Sequence, residues 1–237
     1  MAYIRPVISF ILKILTIKTM LQTHTLRFLR QLAANNNKPW LDAHRADYET
    51  ARADFEQLIT RLLQLMTPLE PALAGQQAKD CIFRIYRDVR FSKDKTPYKA
   101  HFSAYFSKGG RKYEGAGYYL HIEPGKSFLA GGLWMPLPPL LKAVRQEIDY
   151  NLEAFEGIVR SKAFVRHFKE IAGGQLKTPP KGYAADNPAI AYLKHKSFIA
   201  SHPFTDKEVL DKNFGKKYLG VTKVVCPLVD FLNRGLD

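Results

Sequence analysis

Cysteine is scarce in this sequence, which has only Cys81 and Cys226 among its 237 residues. Neither belongs to a CxxC pair, so a zinc site built on thiolates is not expected. A chain of this length can bury a sizeable core without disulfides, and we expect both thiols to be free and buried. So few thiols are typical of a reducing compartment, and the expected location is the cytoplasm.

Long hydrophobic runs are also lacking. The best candidate, residues 7–17, is interrupted by Lys13 and is too short to cross a bilayer. It has no small-residue cleavage site before Met20, where a plausible helix start follows at once. We hypothesise that residues 1–19 are an upstream extension and that residues 20–237 form one domain without a membrane partner. A weak membrane or signal segment is the alternative.

The strong local signatures of catalysis and cofactor binding are missing. The sequence contains no P-loop, HExxH, GxSxG or Rossmann glycine pattern, and its seven histidines form no HxH or HxxxH pair. His121 and Glu123 could be two metal ligands, but the sequence identifies no third. No metal is therefore predicted, and the cofactor, the reaction and the oligomeric state stay unknown.

Acidic residues are too few to balance the basic ones, and the formal net charge is +14. Residues 1–38 carry six basic residues and no acidic one. Residues 79–112 hold ten basic residues against Asp80, Asp88 and Asp94. Positive charge at this density favours an anionic ligand or nucleic acid, although a solvated basic surface explains it as well.

The hydrophobic pattern predicts an α+β fold. Apolar residues recur at helical spacing in residues 25–34, 39–66, 140–155, 161–171 and 222–234. Period-two alternation predicts strands in residues 81–91, 99–107, 117–123 and 127–134, with an edge strand near 197–200. We expect an antiparallel sheet of four or five strands in the middle of the chain, packed by N-terminal and C-terminal helices. Residues 174–188 are rich in glycine, proline and lysine and predict a surface loop.

The most informative segment, residues 84–98, reads RIYRDVRFSKDKTPY. It resembles the RxxRDxRFxx[DN]KxPY signature of a bacterial conserved-hypothetical family, a domain of unknown function. The matching positions are Arg84, Arg87, Asp88, Arg90, Phe91, Asp94, Lys95, Pro97 and Tyr98. Residues 35–45 (NNNKPWLDAHR) and 119–125 (YLHIEPG) are similar to the same family. The resemblance implies membership of that family and no particular reaction.

Candidate site residues follow from the polar faces of the predicted strands. Alternation places Arg84, Tyr86, Asp88, Arg90, His101, Tyr105, Tyr119, His121 and Glu123 on faces that could align. The candidate ligand-binding residues are Arg84, Arg87, Arg90, Lys95, Tyr98 and His101, because guanidinium and ammonium groups suit phosphate or carboxylate. The candidate acid–base residues are His121, Glu123 and Asp88. A purely structural network, with Arg87 paired to Asp94 or Asp42, explains the same charges, and Trp40 and Trp134 are expected to pack rather than to stack on a ligand.

Three functions are consistent with these patterns. One is a binder of, or an enzyme acting on, a small anionic compound at the sheet, which requires the arginines, His121 and Glu123 to converge in one pocket. Another is a non-catalytic interaction protein whose Arg/Asp network is structural. The third is a nucleic-acid binder that contacts mainly phosphates, with binding that weakens steeply as salt rises.

Overall fold

A computed structural model describes residues 20–236, so the hypothesis about residues 1–19 lies outside the described residues. Their ten α-helices are α1 Thr23–Ala34, α2 Lys38–Ala43, α3 Arg45–Met66, α4 Ala78–Cys81, α5 Pro138–Tyr150, α6 Leu152–Val159, α7 Lys162–Phe168, α8 Ile190–Leu193, α9 Asp206–Val209 and α10 Phe214–Arg234. Short 3-10 turns lie at Pro71–Leu73 and Gly110–Lys112. The strands are β1 Phe102–Phe106, β2 Gly117–Ile122, β3 Ser127–Leu133 and β4 Phe198–Phe204.

The four strands form one antiparallel sheet in the order β1-β2-β3-β4, which confirms the predicted α+β fold. Three strands follow one another along the chain as hairpins, and β4 joins the edge after four helices. In the β1–β2 pair Ser103 lies opposite His121, and in the β3–β4 pair Ala130 lies opposite Ser201. This register fixes which side chains share a face of the sheet.

One face of the sheet packs against α10. Its residues include Phe102, Leu120 and Leu129, all at most 4% exposed. The helix comes closest at Gly131, where an added Cβ atom would lie 2.6 Å from a methyl group of Val225. The absence of a side chain at Gly131 therefore allows the close approach of helix and sheet. Both cysteines lie buried in the same core as free thiols, as expected.

The predicted strand at residues 81–91 does not form. Cys81 ends helix α4, whose start carries a reciprocal cap between Gln77 and Asp80. Beyond it the chain makes only isolated bridges, from Ile82 to Ala104 and from Tyr86 to Tyr98. The Asp88 carboxylate accepts a hydrogen bond from the backbone N–H of Arg90 (3.3 Å), and side-chain bonds of this kind compete with a strand ladder.

Two predicted helices are divided and one is longer than expected. Residues 39–66 separate at His44 into α2 and α3, and residues 140–155 separate at Asn151 into α5 and α6. The Asn37 side chain accepts a hydrogen bond from the backbone N–H of Trp40 and caps α2. Helix α10 begins at Phe214 rather than near residue 222, and Pro227 lies inside it. Among the described residues, no helix combines the length and the apolar character that a membrane span requires.

Helix α10 contains a glycine that can be replaced without a clash. An added Cβ atom at Gly220 meets nothing within 4 Å, and the residue is exposed in the helix interior. We expect Gly220→Ala to raise the free energy of unfolding by about 1 kcal/mol, because alanine loses less backbone entropy in a helix. Urea denaturation measures the change, and an unchanged or lower midpoint contradicts the prediction.

Candidate functional site on the outer face of the sheet

The face of the sheet turned away from α10, which we call the outer face, borders a cavity of about 840 Å³. The cavity lies over small residues, Gly117, Ala130 and Gly132, and beside larger ones. Its aromatic and long apolar lining consists of Phe83, Tyr105, Tyr113, Tyr119, Phe128, Trp134, Met135 and Leu137. Because Gly117, Ala130 and Gly132 have small side chains or none, the space above them stays open between the larger residues. A ligand with a flat apolar part fits such a lining.

One wall of the cavity is the segment that follows β3. Trp134 is 67% exposed, so it does not pack in the core. Met135 has a backbone φ of 43°, a conformation that residues other than glycine seldom adopt. Its backbone N–H donates to the Ser197 hydroxyl (2.9 Å), which helps to hold the strained residue in place. Strain of this kind is concentrated at functional sites.

Three polar side chains meet at one end of the outer face: His101, His121 and Glu123. We call them the His–Glu cluster. Each offers a ligand atom, and these atoms lie within 4.8 Å of one another. His101 precedes β1 and Glu123 follows β2, so the antiparallel pairing of β1 with β2 brings them together. The sequence pattern identified all three residues, and the strand register supplies the third partner that His121 and Glu123 lacked.

His121 is the centre of this cluster. Its Nε2 atom lies 2.9 Å from the Glu123 carboxylate, and its Nδ1 atom lies 3.2 Å from the Tyr119 hydroxyl. Its ring centroid lies 4.1 Å from that of His101 and 4.8 Å from that of Phe128. Tyr119 and Phe128 also line the cavity, so the cluster adjoins the cavity through these two side chains, although His101, His121 and Glu123 are not themselves among the described residues that line it.

Burial keeps the two imidazoles uncharged at neutral pH. Burial and then the neighbouring His121 lower the pKa of His101 to about 4. Burial also lowers the pKa of His121, against the opposing effect of Glu123. Burial alone would raise the pKa of Glu123, but hydrogen bonds from His121 and Lys126 outweigh it and lower that pKa. The cluster therefore presents two neutral imidazoles beside a carboxylate, groups able to exchange a proton or hold a cation.

Positive charges surround the cluster. Lys126 Nζ lies 3.1 Å from Glu123, and Lys99 Nζ lies 5.5 Å from the centre of the Phe83 ring, at the cavity. Burial and then Arg84 lower the pKa of Lys99, which places Arg84 close enough to act on it. Arg111 lines the cavity directly and donates to the backbone carbonyl of Ile82 (3.1 Å). The described lining also contains one carboxylate, Glu114, so an anionic group would be favoured only beside these positive charges.

The other candidate residues lie in the loop of residues 84–98, which we call the motif loop. Arg87 pairs with Asp94 and also bonds to the Thr96 hydroxyl. Arg90 pairs with Asp88 (2.7 Å) on an exposed stretch. These contacts lie within the loop, and Asp94 is one of the two structural partners considered for Arg87.

The ends of the motif loop are tied to the rest of the protein by the backbone. Lys95 Nζ donates to the Val89 carbonyl (3.0 Å), inside the loop. Tyr98 is buried, and both its backbone groups bond to the side-chain amide of Asn36, at 2.9 and 3.0 Å. None of the candidates Arg84, Arg87, Asp88, Arg90, Lys95 and Tyr98 is among the described residues that line the cavity. The motif-loop candidates, like His101, His121 and Glu123, are therefore not part of the described cavity wall, and the ion pairs of Arg87 and Arg90 lie within the motif loop.

Comparison with known sequences places the chain in a family. The sequence model of DUF2461, described as a conserved hypothetical protein, matches residues 24–231, which is most of the chain. The chain belongs to the DUF2461 family. Neither the curated proteins nor the solved structures provide a match to it. The geometry of the outer face is therefore the main guide to what this DUF2461 chain does.

Part of the site had no signal in the sequence. Lys99, Lys126 and Arg111 belong to no motif that implies a ligand; Trp134 is the last residue of a predicted strand and Met135 follows it. Arg111 follows β1, and Trp134 and Met135 follow β3; these three line the cavity, whereas Lys99 and Lys126 lie beside it. For this DUF2461 chain, the one available signal was the alternation that put Tyr105, Tyr119 and His121 on a shared face.

Proposed function

We propose that this chain binds a small molecule that combines an anionic group with a flat apolar part. The observation that supports it best is the cavity of about 840 Å³, whose lining residues Tyr119 and Phe128 contact His121 of the His–Glu cluster. Apolar cavities with a few convergent polar groups are the usual form of small-molecule sites. The apolar part would contact Tyr105, Tyr119 and Phe128, and the anionic group would face Lys99 and the imidazoles.

The His–Glu cluster also has the form of an acid–base pair. The Glu123 carboxylate orients His121 through Nε2, and the neutral Nδ1 can accept a proton that the Tyr119 hydroxyl, which lines the cavity, relays from a bound molecule. The Tyr119 hydroxyl holds the second ring nitrogen, so the tautomer depends on both neighbours. On this basis the proposed site can act on its ligand as well as bind it.

A thermal-shift screen tests the proposal. The compounds are phosphates, nucleotides, sugar phosphates, aromatic carboxylates and short oligonucleotides. A ligand present at about 100 times its Kd should raise the Tm of the wild-type chain by about 5–10 °C. We expect Lys99→Gln to lose that shift, because it removes the cation at the polar end of the cavity.

The matched control is Arg90→Gln, which removes a positive charge of the motif loop away from the cavity. It should keep the shift. Loss of the shift in Arg90→Gln with retention in Lys99→Gln would place the ligand on the motif loop and contradict the proposed site. Stabilisation by oligonucleotides alone, abolished by salt, would favour the nucleic-acid function instead.

The motif loop supports a second candidate, a non-catalytic interaction protein. Phe91 is 96% exposed, with the Arg90 guanidinium 5.9 Å from the centre of its ring. A partner that covers the Phe91 ring would remove its apolar surface from water and gain the free energy of that burial. If that partner is a second copy of the chain, Phe91→Ser should convert a dimer to a monomer in sedimentation analysis. A wild-type chain that sediments as a monomer at all concentrations would contradict dimerisation through Phe91.

A further inference from the structure

We infer that the His–Glu cluster is a binding site for a single divalent transition-metal ion, zinc or a metal of similar preference, with His101, His121 and Glu123 as the three protein ligands. This goes beyond the proposed function and does not depend on it, because a metal can bind whether or not the cavity accepts a small molecule. The ligand set is two imidazoles and one carboxylate, which is a recurring set for catalytic zinc and for non-haem iron.

The distances fit with a small adjustment. Ligand atoms at about 2.1 Å from a tetrahedral ion lie about 3.4 Å from one another. The ligand atoms of the cluster already lie within 4.8 Å, and His121 Nε2 lies 2.9 Å from Glu123. The His121–Glu123 contact would have to open by roughly half an ångström, and the other distances would have to close, to admit the ion between them.

The surroundings of His121 also suit a ligand. A metal-bound imidazole commonly donates its second N–H to a neighbouring oxygen. The Tyr119 hydroxyl lies 3.2 Å from His121 Nδ1 and can accept that hydrogen bond, while Tyr119 itself bonds to Ser103.

The positive charges near the cluster affect what completes the coordination. Lys99 and Lys126 oppose a divalent cation by direct repulsion. Three protein ligands leave a fourth position on a tetrahedral ion, and an anionic fourth ligand would offset that repulsion. Because Tyr119 and Phe128 connect the cluster with the cavity, the fourth position would be filled from the cavity side.

A second group of metal-ligand side chains is less suitable. Glu70, Cys226 and Asp230 also bring their ligand atoms within 4.8 Å. However, burial raises the pKa of the Cys226 thiol to about 11, so it is not a thiolate at neutral pH. Glu70 is already bonded to the Tyr118 hydroxyl (3.0 Å). This group therefore provides a control for the experiment.

The test is calorimetric titration of the full chain, stripped with a chelator and dialysed, with Zn²⁺ alone. We expect one zinc ion per chain. We expect Glu123→Gln and His101→Gln to weaken zinc binding more than Tyr119→Phe, for which about a tenfold loss is expected from a group that only orients a ligand. Cys226→Ser should bind as the wild type does. Thermal melts establish that each variant is folded, and Glu123→Gln is the safest because its carboxylate is partly exposed.

Cobalt supplies an independent readout. Co²⁺ in a site with nitrogen and oxygen ligands gives visible bands without the near-ultraviolet charge-transfer band that a thiolate produces. We expect that spectrum from the wild type, and we expect Glu123→Gln to abolish it. The inference is overturned if the wild type binds no zinc, if Glu123→Gln retains full affinity, or if Cys226→Ser alone removes the metal.

Discussion

Gly132→Ala is expected to lower the free energy of unfolding by about 3–5 kcal/mol, through overpacking and backbone strain together. An added Cβ atom at this position would lie 2.0 Å from the backbone carbonyl oxygen of Phe198 on the neighbouring strand. A carbonyl oxygen in a strand cannot move aside as a flexible side chain can. The backbone φ of +128° adds strain for any residue with a side chain.

The control for this effect is Gly125→Ala, in the turn between β2 and β3. Gly125 also has a positive φ, +75°, but an added Cβ atom there meets nothing within 4 Å. That variant should lose only about 1–2 kcal/mol from the left-handed conformation. Urea denaturation of both variants separates the clash from the conformational strain. Equal losses in the free energy of unfolding would mean that the Phe198 carbonyl moves aside for the added Cβ atom. The strand under the cavity would then be more adaptable than we describe.

The second large effect is a loss of stability as the pH falls from about 6.5 to 4. The pKa of His101 is about 4 in the folded chain, against 6.5 ordinarily, so the unfolded chain binds more protons over this range. The stabilising contribution is complete above pH 6.5 and disappears as the pH falls toward 4. This contribution to the free energy of unfolding is on the order of 2 kcal/mol, after a reduction because solvent screens a partly exposed ring.

Neighbouring groups shape this pH dependence. His121, Lys99 and Arg87 lower the pKa of His101, and Glu123 raises it. His121 has a lowered pKa of its own and adds a loss in the same direction. The measurement is urea denaturation at several pH values in the presence of a chelator, with His101→Gln as the comparison. The difference between the two chains should shrink as the pH falls, and a constant difference would contradict the burial of a neutral His101.

The fold was largely predictable because its strands carry clear alternation. Residues 99–107 and 117–123 alternate along the chain, residues 127–134 are apolar and glycine-rich between turn signals, and each of the three contains a strand of the structure. Residues 81–91 show the same alternation but form no strand. The difference lies in competing side-chain bonds, such as Asp88 to the Arg90 backbone, which periodicity does not reveal.

The site was predictable only in part. The residues of the His–Glu cluster were identified because they lie on the polar sides of two strands that follow one another in the chain. Their contact depends on the register, in which Ser103 lies opposite His121, and a shift of one residue would have separated them. The charge of the motif loop predicted a ligand-binding role for its arginines, but Arg87 and Arg90 pair with aspartates of the same loop.

The most direct test of the account is whether a folded chain binds an aromatic anion in the cavity. Anilinonaphthalene sulfonate is such a probe, and its fluorescence rises in an apolar site. Ser201 is exposed and lines the cavity, so Ser201→Trp should fill the space without disturbing the core, while Ser201→Ala leaves it open. We expect the wild type and Ser201→Ala to bind one probe molecule per chain at neutral pH, and Ser201→Trp to bind it at least about 100-fold more weakly, a loss of about 2.7 kcal/mol. Equal binding by all three folded chains, or no binding by the wild type, would contradict a ligand site on the outer face of the sheet.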